Sequence, residues 1–372
     1  MKIGIPKEIK NNEYRVGLAP TGVSELVSNG HHVFVQTNAG LGIGFSDQDY
    51  QNVGAEILIS ATDVFTQSDM IIKVKEPQQS ECALLRPEQI LFTYLHLAPD
   101  LDQTLALIKS KAVCIAYETV TDASGRLPLL TPMSEVAGRM SIQAGAFALQ
   151  KSNGGSGLLL GGVPGVKPAQ VVILGGGIVG SNAAEMAIGL GANVAILDKN
   201  NNTLRQLDKQ FTGKINTIYS TRESLKQHVI NADLVIGAVL IPGAVAPKLV
   251  TAEIIKLMKK GSAIVDVAID QGGCFETSYA TTHDDPIYIV DGIVHYCVAN
   301  MPGGVALTAT HALNNATLPY ILKIANLGYK QALLTDQHLL NGLNICAGKI
   351  TIKEVANAHN LPFTSPQDLL SL

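Results

Sequence analysis

The stretch "AQVVILGGGIVGSNAAEMAIGLGANVAILD", residues 169–198, decides how the rest of the chain reads. A β-branched run, Val171–Leu174, passes into Gly175-x-Gly177-x-x-Gly180 and then into a helical stretch of small residues. A second apolar run, Val194–Leu197, ends in Asp198. Each part has a physical task in a dinucleotide-binding βαβ unit. Gly175 makes the tight turn, Gly177 lets backbone approach a pyrophosphate, and Gly180 permits close helix–strand packing. Ile178 and Val179 open the helix, whose unpaired N–H groups and partial positive charge suit phosphates. Asp198 can accept hydrogen bonds from an adenosine ribose and would repel a 2′-phosphate, which favours NAD over NADP. The competing reading is a plain glycine-rich turn with Asp198 as a helix cap. The full ordered set of strand, glycines, helix, strand and acid weighs against it.

Outward from that unit, short β-branched runs alternate with helical patterns almost throughout, the signature of α/β units. In the first third, Ile3–Ile5, Val33–Gln36, Met70–Val74, Ile90–Leu95 and Val113–Tyr117 read as strands, and "DLDQTLALIKSK" (100–111) as an amphipathic helix. "SEVAGRMSIQAGAFALQKSNGG" (134–155) reads as a domain-linking helix, its small residues admitting a close backbone. A second series of βα units runs from Ala169 to about Val298, and the tail from Gly303 reads as mostly helical, packing back on the first domain.

At 372 residues the chain exceeds one ordinary core. It is 47% hydrophobic, only 16% charged and carries a formal charge of −4, so it lacks the basic footprint expected of a nucleic-acid or anionic-membrane binder. Its longest apolar run, Leu234 to Pro247, is broken by Pro242 and Gly243 and falls short of the ~18 residues of a membrane span. "MKIGIPKEIK" lacks a long apolar core for a signal peptide. Five scattered cysteines without C-x-x-C spacing suit a reducing compartment and argue against a structural metal. The expectation is a cytoplasmic protein with no metal.

Ligands of open α/β sheets gather at the carboxyl ends of strands. Lys75 follows "MIIKV", His96 follows "ILFTYL", and Asp270 ends "AIVDVAID", with Asp266 a competitor in the same strand. Arg15 lies in the loop after the first strand. Singly, each has a bland reading as a solvated loop cation, turn former or satisfied strand-end residue. Together they mark candidate chemistry. The other eight histidines have no such setting and read as structural or surface residues.

The whole chain also resembles the NAD-dependent L-alanine dehydrogenases. The resemblance rests on "MKIGIPKEIKNNEYRVGLAP", "KVKEP", "LHLAP", "PMSEVAGRMS", "GGVPGV", "GAVLIPGA", "DVAIDQGGCFE" and "YCVANMPG". It implies two Rossmann-like domains with doubly wound parallel sheets and a cleft between them. The substrate domain would be residues 1–128 plus 307–372, the NAD domain 129–306, and the assembly a homohexamer. It further implies His96 and Asp270 as catalytic, Arg15 and Lys75 as substrate-binding, and Ser134, Asp198, Ser220, Val239, Leu240, Asn300 and Met301 as cofactor or cleft positions. Thr203 and Tyr279 depart from the family pattern near the cofactor. A metal site known in some members would fall at Lys323 and Leu327, which cannot supply it.

The implied reaction is reversible oxidation of L-alanine to pyruvate and ammonium. Arg15 would clamp the carboxylate through paired hydrogen bonds, Lys75 would hold the carboxylate or developing carbonyl, and His96 would move protons near neutral pH. Asp270 would orient water or the amine. The nearest rival is the NAD(H)-binding subunit of a proton-pumping transhydrogenase. Such subunits carry an Arg–Gln–Asp loop where this chain has "LLTPMSEVAGRMS", which favours the dehydrogenase. A non-catalytic NAD sensor is disfavoured by the four ionisable residues occurring together.

Overall fold

The computed structural model describes residues 1–239 and 246–370, so Leu240 lies outside the described residues. The chain divides into two compact units, one of residues 1–133 with 305–372, the other of residues 134–304.

The first unit is built on β1 (Lys2–Ile5), β2 (His32–Gln36), β3 (Glu56–Leu58), β4 (Met70–Ile72), β5 (Ile90–Thr93) and β6 (Val113–Ala116). All six are parallel. Every residue of β4, β5 and β6 is buried, as expected for strands covered on both faces by crossover helices. One such helix, Leu101–Ser110, is capped by Asp100, which accepts the Gln103 N–H at 2.9 Å, and it stops at Lys111 in left-handed backbone (φ 58°).

The second unit carries β7 (Gln170–Leu174), β8 (Asn193–Asp198), β9 (Ile215–Tyr219), β10 (Leu234–Gly237), β11 (Ala263–Asp266), β12 (Ile287–Val290) and β13 (Ile293–Tyr296). Their order across the sheet is β12-β13-β11-β10-β7-β8-β9, with β12 antiparallel to β13.

The tail is mostly helical and belongs to the first unit, as expected, but it also supplies two strands that the sequence did not show. After the 22-residue helix Ala306–Leu327 and two short helices, it adds β14 (Leu343–Cys346) and β15 (Lys349–Ile350) to the first sheet. That sheet reads β15-β14-β6-β5-β4-β1-β2-β3, with β14 antiparallel to β6 and β15 antiparallel to β14. Ala347 and Gly348 both take positive φ, 49° and 76°, the geometry of a tight two-residue hairpin whose twist matches its strands. The leucines of "ALLTDQHLLNGLN" prolong a helical period into this region and obscure the hairpin. Both sheets are therefore parallel in their centres with an antiparallel edge.

Each sheet reverses its strand order at the first strand of its unit. In the first unit β1 has β2 on one side and β4 on the other; in the second, β7 lies between β8 and β10. Adjacent loops leave such a reversal in opposite directions and open a crevice at the strand ends.

The glycine turn after β7 is fixed by close packing. Gly175 has φ +100°, and a Cβ there would lie 2.8 Å from the Ala238 carbonyl oxygen, just beyond β10. A Cβ on Gly180 would lie 1.9 Å from the Gly175 carbonyl oxygen. Gly180→Ala must push the helix Ile178–Gly189 off its strand, and overpacking of this kind costs about 1–3 kcal/mol. Thermal unfolding should show a midpoint lowered by several degrees, and an unchanged midpoint would count against this contact.

Candidate functional site

In the first unit, the loops after β1, β4 and β5 carry the residues singled out from the sequence. Arg15 lies in the first. Glu13, two residues earlier, accepts its Nε–H at 2.7 Å, its Nη2–H at 2.6 Å and its backbone N–H at 3.1 Å. Both side chains are buried, and Nη1 reaches the Met133 Sδ at 3.1 Å. The guanidinium is thus held in one orientation before any ligand arrives. The tail helix fixes the same loop, with Asn314 Nδ2 donating to the Gly17 carbonyl at 2.9 Å.

The loop after β4 rests on a buried charge triad. Lys73 Nζ donates to Glu8 Oε2 at 3.0 Å and Glu81 Oε1 at 2.7 Å. Burial disfavours its charge, but the two carboxylates outweigh burial and hold Lys73 protonated. The other oxygen of Glu8 accepts the backbone N–H of Val74 at 2.6 Å, and Thr93 Oγ1 donates to the Lys75 carbonyl at 2.9 Å. The backbone entering Lys75 is therefore fixed from both sides.

His96 lies three residues beyond β5, which ends at Thr93 rather than Leu95. Its backbone is left-handed, with φ 50°. Its half-exposed ring stacks near Tyr94 at 5.7 Å between centroids, and Nδ1 lies 3.7 Å from Glu76 Oε2. Burial raises the Glu76 pKa, but His96, Lys10 and Lys75 together hold it well below the usual carboxylate range. For His96 itself, desolvation lowers the pKa, while the Glu76 contact and the Glu118 charge outweigh it and leave it above the ordinary histidine value; Lys75 opposes them. Arg15 acts electrostatically on Tyr94, whose hydroxyl donates to the Leu129 carbonyl at 2.6 Å. Arg15, Lys75 and His96 thus belong to one local set.

Glu13, Glu8, Glu76 and Glu118 were not singled out from the sequence. The signal for Glu118 was present, since it sits just past β6, where the strand-end rule applies as it does after β5.

In the second unit, a Cβ added to Gly177 would meet no heavy atom within 4 Å, so the space beside the turn is open where a pyrophosphate would approach. Gly177 precedes Ile178 and Val179 at the start of a 12-residue helix. Asp198 accepts the Gly176 N–H at 2.7 Å through one oxygen and the Asn200 N–H at 2.7 Å through the other. It thereby links the end of β8 to the turn, while Asn200 supplies the actual helix cap. Each carboxylate oxygen retains capacity for a ribose hydroxyl. The turn, the helix start and Asp198 fit a dinucleotide.

Ser220 follows β9, its N–H bonded to the Asp198 carbonyl at 2.9 Å, and Val239 follows β10 beside Gly175. Asn300, at φ 60°, leads into the 3₁₀ turn Met301–Val305, and Met301 is buried. Ser134 lies in the helix Thr131–Ala148. Asp270 is exposed in the 3₁₀ turn Ile269–Gln271, four residues beyond the end of β11. Asp266 is buried and accepts the Cys274 N–H at 2.8 Å, which anchors the following turn. Tyr279 stacks on Tyr288 with centroids 3.8 Å apart, and Thr203 packs beside Gly176. Lys323 is paired with Asp336 at 2.7 Å. Among the described residues no group of three or more His, Cys, Asp or Glu could hold a metal ion, and no helix is long and apolar enough to cross a membrane.

Fold and site define an α/β protein with a dinucleotide turn at one strand-order reversal and a histidine–carboxylate–cation set at the other. Comparison with known proteins gives the family. Residues 4–137 match "Alanine dehydrogenase/PNT, N-terminal domain" and residues 141–353 match "Alanine dehydrogenase/PNT, C-terminal domain". The chain is 55% identical over 370 residues to an alanine dehydrogenase of Halomonas elongata and 57% identical over 372 residues to one of Methanococcus maripaludis, covering the full length of both partners in each case. A solved L-alanine dehydrogenase superposes with a TM-score of 0.94 at 52% identity, over 97% of this chain and 99% of that one. A transhydrogenase from Sinorhizobium meliloti superposes at 0.84 over 94% of this chain and 100% of that one, with 24% identity, a likeness of fold alone. The chain belongs to the alanine dehydrogenase/PNT family.

The Glu8–Lys73–Glu81 triad sets a testable stability. Lys73→Met leaves two buried carboxylates without their cation, and breaking a buried pair costs about 3–5 kcal/mol. Urea unfolding should show that loss, and a variant within 1 kcal/mol (~) of the parent would refute the triad's role in holding this loop.

Proposed function

We infer that the protein is an NAD-dependent L-alanine dehydrogenase, converting L-alanine, NAD and water reversibly to pyruvate, ammonium, NADH and a proton. The observation that carries this reading is the identity of 55–57% across the full length of proteins named alanine dehydrogenase. The gathering of the loops that bear Arg15, Lys75 and His96 beside a strand-order reversal supports it independently.

In this reading the unit bearing Arg15, Lys75 and His96 handles the substrate, and the unit bearing the glycine turn holds NAD. Gly175, Gly177, Gly180 and the N–H groups of Ile178 and Val179 take the pyrophosphate. Asp198 takes the adenosine ribose, with Ser134, Ser220, Val239, Leu240, Asn300 and Met301 completing the contacts. NAD, when bound, supplies the acceptor for the Cα hydride.

The chain's own residues do the rest. Arg15, preset by Glu13, clamps the substrate carboxylate without first having to order its guanidinium, which limits the entropy lost on binding. Lys75 stabilises negative charge on the carboxylate or the forming carbonyl oxygen. Loss of hydride and an amine proton leaves an imine; water adds to its carbon, and the carbinolamine expels ammonia, which leaves as ammonium. His96 accepts the water proton and returns it to the departing nitrogen. Glu76 stabilises the resulting imidazolium, and Asp270 orients the water or amine. The active form is a homohexamer in the cytoplasm.

NADH absorbance on mixing the protein with L-alanine and NAD tests the activity, with D-alanine and NADP as controls that should remain silent. His96→Ala should lower turnover about 10²–10⁴-fold. Near-normal turnover in that variant would sink the assignment. Because His96 must be neutral to accept a proton and its pKa is raised, deamination should decline as pH falls through a value above about 6.5. An acid limb below that value, measured on kcat/KM, would contradict His96 as the group responsible.

A further inference from the structure

A partly buried carboxylate in the turn that follows β6, the strand beside β5, holds the loop that carries His96. Glu118 sits in the 3₁₀ turn Tyr117–Thr119, directly after β6. The ends of β5 and β6 are in register, Thr93 beside Ala116, so the two loops leave the sheet side by side. Across that gap Glu118 Oε1 accepts the N–H of Leu95 at 3.1 Å and of His96 at 2.7 Å, while Oε2 lies 3.2 Å from the same Leu95 nitrogen. Two consecutive amides therefore converge on one carboxylate. This convergence coincides with the left-handed conformation of His96 (φ 50°), which residues bearing a Cβ seldom adopt and which persists only when its surroundings enforce it.

We propose that Glu118 is a positioning residue for the deamination reaction: by clamping the Leu95 and His96 amides it fixes the His96 backbone in its left-handed turn and so aims the imidazole. The proposal rests on reading His96 as the proton-transfer group. The groups that face this ring are Glu76, Glu118 and Lys75, with Lys10 acting through its ion pair with Glu76. Glu76 addresses the ring at Nδ1, whereas Glu118 addresses the main chain, so the two carboxylates divide the work of orientation. Glu118 also adds negative charge near the ring, and its neutralisation moves the histidine titration downward.

The test compares Glu118→Gln, Glu118→Ala, His96→Ala and the double variant H96A/E118A in steady-state oxidation of L-alanine by NAD, with thermal midpoints measured in parallel. Glu118→Ala should lower kcat about 10²-fold, the loss expected when a reacting group shifts by about 1 Å, with the KM for NAD close to that of the parent. Glu118→Gln keeps the shape and one acceptor oxygen, so it should lose less while moving the acid limb of kcat/KM to lower pH. In a His96→Ala background, Glu118→Ala should add no further loss. Normal kcat and an unmoved acid limb in Glu118→Gln, with His96→Ala inactive, would overturn the positioning role and leave the His96 assignment standing. Independent, multiplicative losses in the double variant would overturn it as well, since they place the effect of Glu118 elsewhere. High turnover in His96→Ala would instead overturn the reading on which the proposal rests.

Discussion

Where strand order reverses in a parallel sheet, the loops at the strand ends part, and that reversal sets where chemistry can be placed. At β1/β4 and at β7/β10 the neighbouring loops part, and the strand ends there are not roofed by a crossover helix. The chain puts its charged loops at the first reversal and its glycine turn at the second. Gly175 shows how little tolerance the second site has: its turn abuts Ala238 beyond β10 and at the same time receives the helix that Gly180 brings close. Replacing either glycine adds an atom where backbone already stands.

The first site is organised by carboxylates, two of them buried and two partly buried, more than by the cations that the strand-end rule marks in the sequence. Glu13 orients Arg15, Glu8 supports the backbone entering Lys75 through Val74, Glu76 faces the His96 ring and Glu118 takes its amide. Arg15 and His96 thus carry acidic partners, and Glu8 stands behind the backbone entering Lys75. Buried charge is costly unless paired, so cations fixed in this loop cluster need such counter-charges behind them. The counter-charges also limit motion, because a bidentate guanidinium–carboxylate pair has one good geometry.

Local patterns made much of this legible. The βαβ fingerprint needed only adjacent residues, and β1, β2 and β6 were visible as apolar runs because strands buried on both faces leave no polar alternation to misread. Where the reading erred, the cause was non-local. β4 and β5 end two residues earlier than their apolar runs, at Ile72 and Thr93, although Lys73–Val74 and Tyr94–Leu95 stay buried. The hairpin of β14 and β15 hid behind a leucine period, and β3, three residues long and only partly buried, was too short to register. The carboxylates of the first site escaped for a similar reason: Glu8 and Glu118 meet their partners across long sequence separations, which one-dimensional spacing does not display.

The split of the first unit across the chain has a consequence for biosynthesis. Its first six strands leave the ribosome before any residue of the second unit, yet the exposed edge of β6 waits for β14, which is made only after residue 304. During that interval a fully apolar strand presents open hydrogen-bonding groups, the kind of edge that recruits other chains. When the tail arrives it seals that edge with a two-residue final strand bearing an outward Lys349, too short and too charged to template another. The second unit, continuous in sequence, can complete itself meanwhile. Nascent chains of this protein are therefore most vulnerable to association between the making of β6 and that of β14, and the pairing of β14 ends the hazard.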